Sequence, residues 1–266
     1  MSVIAVFNQK GGVGKTTVTA HLAAALARNG VETIVIDLDP QAHLTSVWRP
    51  QTKVNESIYR FYQGTCQLLD VARPLDKHVH FIPSHIELAR IDAQVSRHRD
   101  NLWRLKLALE AEMLAGSDLP ILIDCSPMLG VLAFSALLAA DLVLIPVAAE
   151  YLALNGAHLL DNTLAGLEKF QPRLPRRYLL NRYQPNTPTS QKIWQQLNRH
   201  YPGEVLSTRI HENVDIIEAI GAGTDVFTST PNGVGGTDFA FLLDELIEQG
   251  LMHATPSSRE QSVLGL

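Results

Sequence analysis

The sequence predicts an α/β fold: a doubly wound, mostly parallel sheet flanked by helices. Three observations predict it. Short continuous apolar runs recur along the chain, as expected of strands buried on both faces of a parallel sheet. Stretches of helical periodicity separate most of these runs, which is the alternation of βα units. A glycine-rich loop stands between the first apolar run and the first helical stretch.

The elements follow in order. Residues 3–7 (VIAVF) form the first strand, ending at Asn8. Residues 15–29 are alanine-rich and helical, and Gly30 stands where a helix-ending glycine is expected. VETIVID (31–37) is the second strand. Residues 40–78 are less regular and read as a loop with short helices. VHFIP (79–83) is a third strand, closed by Pro83, and a helix is expected over Leu102–Leu114. LPILID (119–124), DLVLIPV (141–147) and RRYLLN (176–181) complete the set. No repeat or linker divides the chain, so one domain is expected over 1–252, with a polar, flexible tail over 253–266.

Composition narrows the function. The 266 residues are 46% apolar and 18% charged, an ordinary globular balance that can bury a full core without staples. Two cysteines, Cys66 and Cys125, cannot build a disulfide framework or a zinc site, and they suit a reducing cytosol. No run of 18 apolar residues occurs, so no membrane span is expected. The first residues lack a charged n-region and reach a glycine loop by residue 11, so no secretory leader is expected. The ten histidines show no H-x-x-x-H or H-E-x-x-H spacing, so their default is packing or surface, not metal binding. The net charge of −5 argues against a nucleic-acid partner.

That sum is uneven. Residues 169–210 carry eight basic residues (Lys169, Arg173, Arg176, Arg177, Arg182, Lys192, Arg199, Arg209) against Glu204 alone, a net +7. Residues 211–266 carry nine acidic residues against Arg259, a net −8, which leaves −4 for residues 1–168. Asymmetry of this kind signals either an anionic partner or a solvated basic face balanced by an acidic neighbour.

The segment Lys10-Gly11-Gly12-Val13-Gly14-Lys15-Thr16-Thr17 carries the chemistry. It follows an expected strand and opens an expected helix, the context a phosphate loop requires. Glycines let successive backbone N–H groups turn toward one anion, and the helix N-terminus adds its positive end. Lys15 supplies a point charge for the β- and γ-phosphates, and Thr16 a hydroxyl for Mg²⁺. Three glycines, two lysines and one threonine at fixed positions arise by chance in roughly 10⁻⁷ of windows. Asp124 ends the apolar run ILID, where a strand's C-terminal end faces the ligand crevice of an open α/β sheet. Asp37 and Asp39 form D-x-D-P-Q with Pro40 and Gln41 at the end of the second strand. Asp39-Pro40 also fits a turn start. Cys125 reads as a small packed residue.

The loop departs from G-x-x-x-x-G-K-[ST]: Gln9 occupies the first glycine position, and an extra lysine, Lys10, precedes Gly11. In this NQKGGVGKTT resembles the deviant Walker A loop of the ParA/MinD branch of P-loop ATPases, most of all its Soj/ParA members. SHIELARIDAQVSR, ADLVLIPVAAEYLALNG and NVDIIEAIGAGTDVF extend the resemblance over roughly residues 1–250. It implies a P-loop NTPase fold of the SIMIBI type and an ATPase using ATP and Mg²⁺. It also implies that Lys10 reaches across a nucleotide-sandwich homodimer to the partner's phosphates. By the same resemblance Asp39 orients the attacking water, Asp37 sits nearer Mg²⁺ through water, Asp124 holds the metal indirectly, and Asn181 reads the adenine. ATP-binding residues are then Gly11, Gly12, Val13, Gly14, Lys15, Thr16, Thr17 and Asn181. The family's D-C-P-P reads D-C-S-P here, with Ser126 for a proline.

Soj-like proteins bind DNA without sequence preference as ATP dimers, so the resemblance implies nonspecific double-stranded DNA and a nucleoid-associated, cytoplasmic location. It also implies a stimulating partner protein and a cargo such as a plasmid, a chromosome origin or a carboxysome. Two departures bear on DNA. YQPNTPTSQK lacks the Soj-type arginine, and Asp215 stands where a later arginine is frequent. The candidates left are Arg176, Arg177, Arg182, Lys192 and Arg199. The alternative is an ATP-gated protein-binding switch with no nucleic-acid role. The membrane-binding MinD branch needs a basic amphipathic C-terminal helix, and SSREQSVLGL offers a single arginine. The nitrogenase iron-protein branch needs paired cluster cysteines that Cys66 and Cys125 do not supply.

Overall fold

The computed structural model describes residues 2–49, 51–93, 100–112, 114, 118–150, 153–168 and 172–256. Among them eight strands form one sheet: β1 (Ser2–Val6), β2 (Thr33–Leu38), β3 (Arg73–Pro74), β4 (Val79–Ile82), β5 (Pro120–Cys125), β6 (Leu142–Ala148), β7 (Arg176–Tyr183) and β8 (Val205–His211). Their spatial order is β3-β4-β2-β5-β1-β6-β7-β8. All pairings are parallel except β3 with β4. The helices are α1 (Lys15–Arg28), α2 (His43–Trp48), α3 (Tyr59–Tyr62), α4 (Ala89–Ala93), α5 (Asn101–Ala111), α6 (Val131–Ala139), α7 (Ala153–Leu167), α8 (Pro188–His200), α9 (Val214–Gly221), α10 (Val226–Ser229) and α11 (Val234–Glu248).

The pleat divides the core between the two faces of the sheet. Along β1, Val3 and Ala5 point to one side and Ile4 and Val6 to the other, all fully buried. The first side packs with α3, α5, α6, α7 and α8 through residues such as Phe61, Leu105, Leu137, Leu160 and Leu197. The second packs with α1, α9, α10 and α11 through Leu22, Leu26, Ile216, Phe227, Phe239 and Leu243. Burial on both faces is why these strands read as unbroken apolar runs.

Six strands fall where the sequence expects them, each within two residues at either end. The region 40–78 holds α2, α3 and two single-turn helices, and also β3, which the sequence does not predict. It does not predict β8 either. As an edge strand β8 reads VLSTRIH and alternates in burial, so it lacks the continuous apolar run. Its exposed edge is blunted by α11: Glu245 accepts from the Ser207 and Thr208 N–H groups at 2.7 and 2.8 Å. The helix expected over Leu102–Leu114 stops at Ala111. Glu112 turns away there to accept from the Leu68 and Leu69 N–H groups.

The first residues of the expected tail are packed. The His253 N–H donates to Ser2 Oγ at 2.9 Å, and Ala254 packs on the second core. The rest of that tail, residues 257–266, and Lys169 of the basic stretch lie outside the described residues. No helix among the described residues is long and apolar enough to cross a membrane.

Candidate active site

The expected site residues come from the C-terminal ends of adjacent strands, where an open parallel sheet leaves a crevice. β1 lies between β5 and β6 and delivers the glycine loop into it. Asn8 braces the loop: its Nδ2 donates to the Pro146 carbonyl at 2.8 Å, and its Oδ1 accepts from the Lys10 N–H at 3.0 Å. Gly14 caps α1 with φ +93°, and a Cβ there would lie 2.2 Å from Asn181 Nδ2. Glycine is therefore required at that position by conformation and by space. No side chain caps α1, so its first backbone N–H groups face the loop.

Lys15 is buried, and its ammonium donates to the Lys10 carbonyl at 3.2 Å. Burial lowers its pKa, while the charges of Asp124, Cys125 and Asp39 oppose that shift. Asp124 lies beside Val6 on one side and Asp37 on the other. Its carboxylate is buried and neither oxygen has a hydrogen-bonding partner among the described residues. Burial pushes its pKa well above the carboxylate range, and the Asp37 charge adds to this. The Thr16 hydroxyl pulls the other way without closing a regular hydrogen bond.

Asp37 is fully buried but not orphaned. Its Oδ2 accepts from Thr45 N–H at 2.9 Å and Thr45 Oγ1 at 2.6 Å, and its Oδ1 from the Asp39 N–H at 3.1 Å. Burial pushes its carboxyl up to about 7. Asp37 thus fastens α2 to the sheet. Asp39 accepts from the Gln41 N–H at 2.9 Å, and its carbonyl accepts from Ser84 Oγ at 2.7 Å. Sequence reasoning missed Thr45 and Ser84. They hold the carboxylate turn through contacts with no local sequence signal.

Asn181 donates from Nδ2 to the Val13 carbonyl at 2.7 Å, and its Oδ1 accepts from the Arg182 N–H at 2.9 Å. It lines a cavity of about 210 Å³ with Gly12, Gly14, Thr17, Arg182, His211, Glu212, Asn213, Ile216 and Ile217. A larger cavity of about 510 Å³ near Trp48 and Arg73 contains none of the expected site residues.

A nucleoside triphosphate and Mg²⁺ fit these residues on three observations: the uncapped helix behind a glycine cradle, the inward ammonium of Lys15, and the orphaned carboxylate of Asp124 beside Thr16. Mg²⁺ keeps several waters and takes few protein oxygens, which suits a threonine hydroxyl and one carboxylate.

A family model described as an AAA domain matches residues 1–175. The chain is 35% identical to the chromosome-partitioning ATPase Soj of Thermus thermophilus, over 92% of this chain and 94% of that one. It is 32% identical to the sporulation initiation inhibitor protein Soj of Bacillus subtilis, over 93% of this chain and 99% of the relative. The chain belongs to the ParA/Soj family. Its fold also matches a cobyrinic acid a,c-diamide synthase from Mycobacterium smegmatis solved with an ATP analog and magnesium. There the TM-score is 0.80 and the identity 26%, over 94% of this chain and 95% of that one.

The basic candidates do not gather on one face of this ParA/Soj chain. Arg176 is excluded as a DNA contact. Its side chain is 2% exposed and is clasped by Asp161 of α7 and by Glu168, one residue past that helix. Arg177, beside it, donates to Gln249 Oε1 at 2.9 Å. Arg182 lies five residues away, about 17 Å along the strand, and is paired with Glu150 and Glu212. Arg173 pairs with Glu204 and Glu168. Arg209 is stacked between the Trp194 and Tyr183 rings, 4.5 and 4.9 Å from their centroids. Lys192 and Arg199 are exposed seven residues apart on α8, and so share its outer face. Three of the eight basic residues, Arg173, Arg176 and Arg182, are therefore matched by Glu150, Asp161, Glu168, Glu204 and Glu212.

Proposed function

We propose that this chain is an ATP- and Mg²⁺-dependent ATPase that forms a sandwich homodimer in the ATP state. The dimer binds DNA without sequence preference, and with a stimulating partner protein it positions or segregates a cargo. The observation that carries the reading is the extra lysine, Lys10, beside a complete phosphate cradle. A cation that meets the γ-phosphate only in a dimer links nucleotide state to assembly. Two relatives named as chromosome-partitioning proteins support it, at 30% and 35% identity over most of the chain.

In this reading the α1 N-terminus, Gly11, Gly12, Val13, Gly14 and Thr17 hold the phosphates through backbone and side-chain donors. Lys15 neutralises the β- and γ-oxygens. Thr16 and, through water, Asp124 and Asp37 hold Mg²⁺, which when bound offsets phosphate charge. Asp39 aligns the attacking water, Asn181 contacts the base, and Lys10 supplies a charge in trans. Lys192 and Arg199 contact DNA phosphates. The location is the cytoplasm, on the nucleoid.

A mobility shift of duplex DNA with ATP and Mg²⁺ at low and moderate salt tests the reading. The expected result is a shift that requires ATP and weakens as salt rises. Matched arginines favour one second reading, an ATP-gated protein-binding switch. ATP-dependent dimerisation with no shift even at low salt supports that instead.

A further inference from the structure

Lys10 is not free in this chain. Its Nζ donates to Glu150 Oε2 at 2.8 Å. The other oxygen of Glu150, Oε1, accepts from Arg182 Nη1 at 2.8 Å. Arg182 is held in turn by Glu212, whose Oε1 accepts from Nη2 at 3.0 Å and from Nε at 3.3 Å. Gln184 donates to the second oxygen of Glu212. An unbroken run of side chains therefore joins the signature lysine to the cavity beside Asn181, since Arg182 and Glu212 line that cavity.

The backbone is built to make this run. Arg182 has φ +55°, a left-handed conformation costly for a residue with a Cβ. It sits where the β7–β8 register shifts, between Leu180 and Tyr183. Such an irregularity re-aims a side chain, and here Asn181 and Arg182 both face the crevice rather than opposite faces. The ladder fixes the two carboxylates on either side: Ala149 N–H donates to the Asn181 carbonyl, and Glu212 N–H to the Tyr183 carbonyl. The hydrogen bond from Lys10 lowers the Glu150 pKa, so the carboxylate stays charged at neutral pH.

We infer that Glu150 is a positioning residue for Lys10. Clasped by Arg182 and Glu212, it holds the lysine within its own subunit until a ligand in the adjoining cavity draws on Arg182 and Glu212. The inference rests on the proposed role of Lys10 in trans. Exposure keeps the clasp weak. Glu150 and Arg182 are 45% and 47% exposed, and exposed pairs shift equilibria by less than about tenfold. A hold of that size biases the lysine toward its own subunit, yet a bound nucleotide can overcome it.

The test compares the full chain with Glu150→Gln, Lys10→Ala and the double variant. The dimer dissociation constant is measured by sedimentation equilibrium with a non-hydrolysable ATP analogue and Mg²⁺. Glu150→Gln should tighten the dimer about two- to fivefold, and it should have no effect in the Lys10→Ala background. An unchanged constant, or the same tightening without Lys10, overturns the inference. Amine labelling of the nucleotide-free monomer, read by mass spectrometry, reports on the clasp separately. Glu150→Gln should raise labelling at Lys10 and leave Lys192 unchanged, and no rise at Lys10 refutes the hold. If the parent does not dimerise with the analogue, the proposed function fails while the labelling still decides the clasp.

Discussion

At the residue scale, the site is a set of buried ionisable groups whose charged forms a counter-charge would stabilise. Lys15 and Asp124 are the plainest cases, an inward ammonium and a carboxylate with no hydrogen-bonding partner among the described residues. Lys15→Ala should weaken ATP binding by about 100-fold or more, the scale of one charge-assisted hydrogen bond in a buried site. Titration calorimetry with ATP and Mg²⁺ measures this. Asp39→Ala should keep ATP affinity within a few-fold while lowering turnover about 100-fold, as expected of a group that acts on the attacking water. Phosphate release in single-turnover experiments separates the two effects. His21 gives a pH signature unrelated to the chemistry. It is buried on α1, stacked on Phe239 with centroids 4.8 Å apart, and its Nε2 has no partner among the described residues. Burial lowers its pKa below the ordinary 6.5. Below pH 6.5 the unfolded chain takes a proton that the folded chain resists, so stability falls as pH falls through that value. Part of the stability lost between pH 7 and 5.5 is therefore attributable to His21, and His21→Leu should flatten that part of a urea-melt pH profile.

At the element scale, β7 carries three roles in eight residues. Arg176 anchors its start to α7, Asn181 reaches the glycine loop at its end, and Arg182 turns to the acidic clasp. Arg176→Ala should cost about 2 kcal/mol of stability. That is less than a fully buried pair loses, because Asp161 and Glu168 retain access to water. DNA affinity per folded molecule should not change, and chemical denaturation alongside DNA titration checks both halves. The strands buried on both faces were legible from sequence, because the sheet interior demands unbroken apolar runs. The phosphate loop was legible because its backbone demands glycine at 12 and 14, where φ is positive. β8 was not, because an edge strand satisfies only one face. The burial of Arg176 was invisible as well. Its partners lie 15 and 8 residues upstream, on α7 and just past its end, and nothing in RRYLLN distinguishes an internal arginine from a surface one. Glu150 was overlooked although it closely follows a strand's C-terminal end, the placement that picked out Asp124.

At the scale of the whole molecule, the charge asymmetry means less than the sequence suggests. Carboxylates of 150–168, with Glu204 and Glu212, match Arg173, Arg176 and Arg182, and aromatic rings cover Arg209. Exposed cations on the α8 face, Lys192 and Arg199, are the proposed DNA contacts. Two such cations per subunit make weak binding, and a dimer doubles them. Replacing both with alanine should weaken DNA binding evenly across sequences. It should also reduce the log–log salt slope by roughly 0.9 for each phosphate no longer neutralised. In the proposed cycle ATP binding produces the DNA-binding species by joining two chains. Sedimentation velocity of a fluorescent duplex with Asp39→Ala protein tests it most directly. A complex containing two protein chains is expected with ATP and Mg²⁺, and free duplex without nucleotide. Equal binding without ATP, or a complex containing one chain, would contradict it.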